Sequence, residues 1–196
     1  VCANTKTPNR VHHIIHDDPQ PVIDCLVDSA QRLIAAGADF LALPCNTAHH
    51  FINLLPKPFS VPFLHMIDRC IDRLSQQHVQ SATLLSTTGT IQSKIYHNAA
   101  DQAGITIRTP EASIQLSITS IIDSIKAGTP PGNLYSELKA IVLGELSKTD
   151  VVILGCTELP LPLKHDPIKH VIDPMDILAA DCIEHAGYSL RARIRV

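Results

Sequence analysis

The chain has 196 residues, 45% of them hydrophobic and 18% charged, with a formal net charge of −3, a composition that suits one large packed domain or two small ones. Lys and Arg are scattered rather than gathered into a stripe, which removes the electrostatic footprint of a nucleic-acid binder. No apolar run approaches the roughly 18–20 residues that a bilayer-spanning helix needs and no start resembles a signal peptide, so a cytoplasmic protein without membrane or nucleic-acid partners is expected.

The chain opens VCANTKTPNR, with neither an initiating Met nor an opening strand, from which the loss or omission of an N-terminal segment is expected. Residues 21–36 (PVIDCLVDSAQRLIAA) put Val22, Ile23, Leu26, Val27, Ala30, Leu33 and Ile34 on one helical face, and Gly37 stops that helix. Residues 39–43 (DFLAL) are nearly all apolar, the signature of a strand buried on both faces of a parallel sheet. A weaker strand over 60–64 ends at His65, and a helix over 66–77 carries Ile67, Cys70, Ile71 and Leu74. Residues 81–85 (SATLL) predict a strand and 86–90 (STTGT) a turn, with Thr87 a candidate donor and Thr90 a candidate helix cap; a helix over 91–103 is closed by Gly104. A short strand over 105–108, a strongly periodic helix over 113–127 and a Pro-rich break at 128–132 come next. A helix over 133–147, a buried strand over 150–154 (DVVIL), a short strand over 170–172 and a helix over 175–185 complete the pattern. Alternating strands and helices predict an α/β fold with mainly parallel sheets.

Six cysteines are spread along the chain without a CxxC pair, so neither a zinc ribbon nor a thioredoxin-like motif is present. Cys25, Cys70 and Cys182 fall inside helical patterns and read as small buried hydrophobes, whereas Cys2 has no interpretable context. Cys45 and Cys156 differ from these. Each follows an Asp by six positions, ends an apolar strand and precedes short polar residues, in DFLALPCNT and DVVILGCTE, 111 positions apart. That faint repeat predicts two pseudo-symmetric domains, each presenting one cysteine at the carboxyl end of a strand, with a ligand site in the cleft between them. The expected boundaries are 1–79 with 173–196 for the first domain and 80–172 for the second.

A thiol at a strand end, close to backbone N–H groups and a following helix, is expected to have a lowered pKa. Two opposed thiols suit proton removal from one face of a carbon and return to the other, which is racemisation or epimerisation and consumes no cofactor. Such a site must stabilise a carbanion or enolate with fixed donors, and Asn46, Thr47, Thr87 and Thr157 are short hydrogen-bonding groups at strand ends.

LPCNTAHHF together with LGCTELPL resembles the aspartate/glutamate racemase superfamily, and in particular its pyridoxal-phosphate-independent, aspartate racemase-like branch. Glutamate racemases usually carry GCTH where this chain has Cys156-Thr157-Glu158. The T-x-G-T at 87–90 with Tyr96 after it is also similar to the family pattern. The likeness covers essentially the whole chain, but the family's opening strand and glycine-rich turn have no counterpart. The resemblance implies that Cys45 and Cys156 are the catalytic acid/base pair, and that Asn46, Thr47, Thr87, Thr157 and Glu158 bind substrate, largely at its α-carboxylate. It further implies that Arg10, in Pro8-Asn9-Arg10, and Lys126, in Lys126-Ala127-Gly128, face a dicarboxylate. A homodimer acting on a free amino acid, aspartate before glutamate, is implied in the same way, with no cofactor and no metal.

Two rivals remain. Hydantoin racemases, maleate isomerases and arylmalonate decarboxylases share the scaffold, and a shortened, non-catalytic carboxylate binder fits the missing start. The eleven histidines, especially His12, His13 and His16 and the pair His49-His50, suggest metal binding but lack an HExxH arrangement or a nearby Cys. His49 is expected either to polarise Cys45 or simply to begin a helix.

Overall fold

The computed structural model describes residues 6–55 and 59–190; Cys2 and the rest of 1–5, like 56–58 and 191–196, lie outside the described residues. It is an α/β structure whose strands all pair in parallel, in one two-stranded and one four-stranded sheet. Its strands and helices alternate as the hydrophobic periodicity predicts.

Asn9 caps α1 (Arg10–Ile15), its Oδ1 accepting from the His12 N–H at 3.2 Å. In α2 (Gln20–Ala35) the predicted face buries Val22, Ile23 and Leu26 against Phe51, and Gly37 leaves the helix at φ +88°. The strand expected over 39–43 is only β1 (Leu41–Ala42), paired with β2 (Phe63–Leu64). Two residues find a ladder partner there, and Pro44 has no N–H with which to extend it. Between these strands lies α3 (His49–Ile52).

The larger sheet runs in the order β4 (Thr106–Arg108), β3 (Ser81–Ser86), β5 (Val151–Gly155) and β6 (Val171–Ile172). Period-two alternation along β3 and β5 sends Leu84 and Ile153 to one face, Leu85, Val152 and Leu154 to the other. The first face packs against α4 (Met66–Gln76) through Ile67, Cys70 and Leu74, and against Tyr96 and Ile177. The second is covered by α7 (Ala112–Lys126) and α8 (Tyr135–Leu146), through Ile118, Ile121, Leu138 and Val142. The closing helix, α10 (Pro174–His185), lies along α4, where Arg69 and Asp181 pair at 3.2 Å. Cys70 is fully buried as expected of a small hydrophobe, while Cys25 and Cys182 are half-buried.

The helix expected over 91–103 is two helices, α5 (Thr88–Gln92) and α6 (Ile95–Gln102), parted at Lys94, which adopts φ +53°. Thr87, not Thr90, is the cap: its Oγ1 accepts from the Thr90 N–H at 3.2 Å, so the helix begins three residues early and Thr90 lies in its first turn. The break at Lys94 starts a new helix whose first turn buries Ile95 and Tyr96.

Helix α1 has no buried residue of its own and rests on α5. Gly89 makes that approach possible, since a Cβ there would lie 3.1 Å from the Val11 Cα and 3.2 Å from its Cγ2. Gly89→Ala is therefore expected to destabilise the protein by about 1–3 kcal/mol in urea unfolding, the range for overpacking. Gly144→Ala, on the exposed side of α8 with open space around it, is expected to stabilise by about 0.5–1 kcal/mol through helix propensity.

Candidate active site

The loop after β1 carries Cys45, and its shape is fixed by a histidine. His49, the first residue of α3, is fully buried. Its Nδ1 lies 2.8 Å from the Cys45 carbonyl oxygen, and its Nε2 accepts from the Met66 N–H at 3.1 Å. A backbone N–H can only donate, so Nε2 is the bare nitrogen and the ring proton sits on Nδ1, donated to Cys45. Burial, reinforced by the neighbouring His65, pushes the His49 pKa down to about 3, and the ring is neutral. Both ring nitrogens are thus committed to backbone groups. His49 holds the Cys45 backbone against the start of α4 rather than polarising the thiol.

Beyond Cys45 the loop meets the carboxyl end of β3. The Thr47 hydroxyl lies 3.1 Å from that of Thr87 and 2.8 Å from that of Thr90, which are themselves 3.0 Å apart. This buried triangle of hydroxyls ties the first sheet to the second. Asn46 adds another tie, its Oδ1 accepting from the Tyr96 hydroxyl. Complete burial pushes the Tyr96 pKa well above that of an ordinary phenol, so the hydroxyl keeps its proton and remains a donor. With Oδ1 occupied, the Asn46 NH₂ is left to donate elsewhere.

The second cysteine lies immediately after β5. Gly155 precedes it because a Cβ there would meet Leu84 Cδ1 at 2.6 Å and Ser86 Cβ at 3.0 Å on the paired strand. Cys156 is 7% exposed, and its thiol donates to Glu158 Oε2 at 2.9 Å; the Thr157 hydroxyl donates to the same oxygen at 3.2 Å. Its pKa is not lowered as the strand-end position led us to expect. Burial raises it to about 12, the Glu158 carboxylate adds to the effect, and Lys126 only partly offsets it. The following helix, α9 (Pro160–Leu163), starts four residues later, too far along for its dipole to overcome a carboxylate in contact with the thiol.

Cys45 and Cys156 line one cavity of about 70 Å³, together with Asn46, Thr47, Thr87, Thr157 and Glu158. Arg10, from the first turn of α1, and Lys126, from the last turn of α7, line it as well. All nine residues that the family resemblance put at the site are therefore in one place. Arg10 Nη1 donates to the Pro8 carbonyl at 3.2 Å. The lining also includes Asn9, Val11 and Gly155, which sequence reasoning did not select. Asn9 carried a helix-cap signature and Gly155 adjoins a cysteine, but nothing in the sequence marks Val11. Among the described residues, no three His, Cys, Asp or Glu side chains gather as metal ligands. Among the same residues, no helix is long and apolar enough to cross a membrane.

The chain belongs to the Asp/Glu/hydantoin racemase family, whose model matches residues 2–182. It is 32% identical over 155 residues to the broad specificity amino-acid racemase RacX of Bacillus subtilis, covering 78% of this chain and 65% of that one. Similarity to the glutamate racemase of Koribacter versatilis is 22% identity over 167 residues, 82% of this chain and 54% of the relative. The chain thus spans between about half and two thirds of the curated relatives it matches here. Among solved structures it resembles an aspartate racemase of Picrophilus torridus, with a TM-score of 0.81, 26% identity, and coverage of 96% of this chain and 79% of that one. An aspartate racemase homologue from Pyrococcus horikoshii aligns with a TM-score of 0.72 and 26% identity, over 86% and 75% of the two chains.

The buried neutral imidazole predicts a pH dependence. The folded-state pKa of His49 lies below the unfolded value of 6.5, so the unfolded chain takes up the extra proton and stability falls as pH drops through 6.5 towards 3. From pH 7 to pH 5 this one group should remove about 2 kcal/mol of unfolding free energy. Urea titrations should show that loss reduced by a similar amount in His49→Gln, which has no proton to gain.

Proposed function

We propose that this protein is a cofactor-independent amino acid racemase acting on an acidic amino acid, aspartate before glutamate, by proton transfer between Cys45 and Cys156. The observation that carries this reading is the convergence of two cysteines, held by different sheets, on one small cavity that also contains two cations. In one direction the Cys45 thiolate removes the α-hydrogen as a proton while the Cys156 thiol delivers its proton to the opposite face. The carbon is inverted, Cys45 becomes the thiol and Cys156 the thiolate, and no electrons are exchanged with a cofactor. By the family resemblance we further propose that the protein works in the cytoplasm as a homodimer.

The difficult step is acidifying a hydrogen beside a carboxylate, which requires the enolate-like state to meet donors already aimed at it. The Asn46 NH₂ is such a donor, held by the Tyr96 hydroxyl on its Oδ1, and the Thr47 and Thr87 hydroxyls line the cavity next to it, each able to turn its proton from the triangle to the substrate. Charge supports an acidic substrate. Arg10 and Lys126 put two cations on the lining, one for each carboxylate of aspartate or glutamate. A dry site sharpens this selection because unmatched charge there is poorly screened.

The relationship to RacX, described as broad in specificity, favours a second reading in which neutral amino acids are also turned over. Arg10 and Lys126 separate the two. In Arg10→Ala and Lys126→Ala, kcat/KM for aspartate should fall about 10–100-fold, the loss of one or more charge-assisted hydrogen bonds, while kcat/KM for alanine changes little. A parallel fall for both substrates favours the second reading. The two-thiol mechanism is checked by Cys45→Ala and Cys156→Ala, each expected to lower racemisation at least 10²-fold, the lower bound for losing a general acid or base. Wild-type protein in deuterated water should place deuterium at the α-carbon of both enantiomers; an α-hydrogen that never exchanges rules the racemase out.

A further inference from the structure

Glu158 entered the sequence reading as a substrate ligand, yet its carboxylate is already engaged. Two donors, the Cys156 thiol at 2.9 Å and the Thr157 hydroxyl at 3.2 Å, converge on the same oxygen, Oε2. Cys156 is almost wholly buried, whereas Thr157 and Glu158 are half-buried and so leave the carboxylate open to solvent. A thiol facing a carboxylate at hydrogen-bond distance keeps its proton, because ionising it would set two anions in contact. Lys126 lies near enough to oppose this but does not outweigh burial and the carboxylate. Among the described residues no carboxylate is hydrogen-bonded to the Cys45 thiol, and the groups that organise its loop are the His49 ring, which meets its carbonyl, and the hydroxyl triangle beyond. The two thiols of the cavity are therefore in different chemical surroundings.

We propose that Glu158 is a positioning residue that keeps Cys156 protonated in the free protein, so that Cys156 begins as the proton donor and Cys45 as the acceptor, and that it then reloads Cys156. Building on the racemase reading, the cycle balances as follows. Cys156 gives its proton to the substrate carbon and is left as a thiolate beside the Glu158 carboxylate. That pair of anions takes one proton from solvent, first onto the carboxylate and then onto sulfur, while Cys45 releases to solvent the proton it removed from substrate. Thr157 holds the carboxylate in place through both stages. Without Glu158 the Cys156 thiolate would lose the carboxylate that relays this proton from solvent to sulfur.

The test reads the thiol directly and needs no turnover. Wild-type protein and Glu158→Gln, which is close to isosteric and so leaves reagent access alike, are treated with iodoacetamide between pH 6 and pH 10. Alkylation of the Cys45 and Cys156 peptides is followed by mass spectrometry. At pH 8, Cys156 in Glu158→Gln should react about tenfold faster or more, as its thiolate fraction rises, with the Cys45 rate within about twofold of wild type. Equal Cys156 rates in the two proteins overturn the proposal. Should Glu158→Gln fail to fold, Glu158→Asp, whose shorter side chain draws the carboxylate away from sulfur, takes its place: Cys156 should again alkylate faster than in wild type at pH 8, and an equal rate overturns the proposal. A shifted Cys156 in a protein that never exchanges the α-hydrogen would uphold the proton assignment and remove the racemase reading, so the two fail separately.

Discussion

The site depends on a small set of buried polar ties that cross from the first sheet to the second. Neither Cys45 nor Cys156 can meet the same small molecule unless the loop after β1 is held against the carboxyl ends of β3 and β5. The strands themselves do not do this, since the two sheets share no ladder. What does it is the triangle of Thr47, Thr87 and Thr90 hydroxyls, with the Tyr96 hydroxyl donating to Asn46. Each of these atoms lies beyond easy reach of water, so separating the sheets would leave several polar groups unsatisfied, at roughly 1–3 kcal/mol apiece. Three of these residues, Asn46, Thr47 and Thr87, also line the cavity, while Thr90 and Tyr96 stand behind them. Joining the sheets and shaping the cavity wall thus share residues.

His49 extends that logic to the backbone. A neutral imidazole with one donor and one acceptor fits between the Cys45 carbonyl, which needs a donor, and the Met66 N–H, which needs an acceptor. An amide side chain supplies both functions but not the same rigid reach. A charged ring supplies two donors and leaves the Met66 N–H facing another donor. The low pKa of His49 thus expresses a geometric requirement of the loop. It also separates two kinds of polar residue in this region, those whose protonation is fixed for architecture and those, such as Cys156 with Glu158, whose proton lies beside the cavity.

Much of this was legible in the sequence because strand ends in parallel sheets are predictable places. DFLALPC and DVVILGC mark both cysteines by an apolar run stopped by small or polar residues, and the structure brings all nine singled-out residues to one cavity. What was not legible came from contacts distant in sequence. The sign of the Cys156 shift turns on burial and on the side-chain conformation of Glu158 two residues away, neither of which the strand-end position reveals. Thr90 looked like a cap, but Thr87 is one turn better placed to accept its N–H. The single helix expected over 91–103 is broken at Lys94 by a left-handed residue, a conformation uncommon for lysine that periodicity alone does not announce. The short β1 follows from how few partners the strand finds, which depends on the sheet and not on the strand.

Arg10 shows how far such distant contacts reach towards the cavity. It sits on a six-residue helix with no buried residue, far shorter than an isolated helix needs in order to persist in water. Its place is therefore set from outside. Asn9 caps the helix, the Pro8 carbonyl takes one guanidinium N–H, and the backbone of Val11 is seated on α5 at a glycine. α5 in turn begins at Thr87, a corner of the hydroxyl triangle. A chain of short contacts thus runs from the cation at the cavity edge to the ties that hold the sheets together. A side chain at Gly89 would press on Val11, which itself lines the cavity, and can so shift the charge of Arg10 next to it. The position of a charge in this cavity is in that sense a property of packing between α1 and α5 as much as of the charged side chain itself.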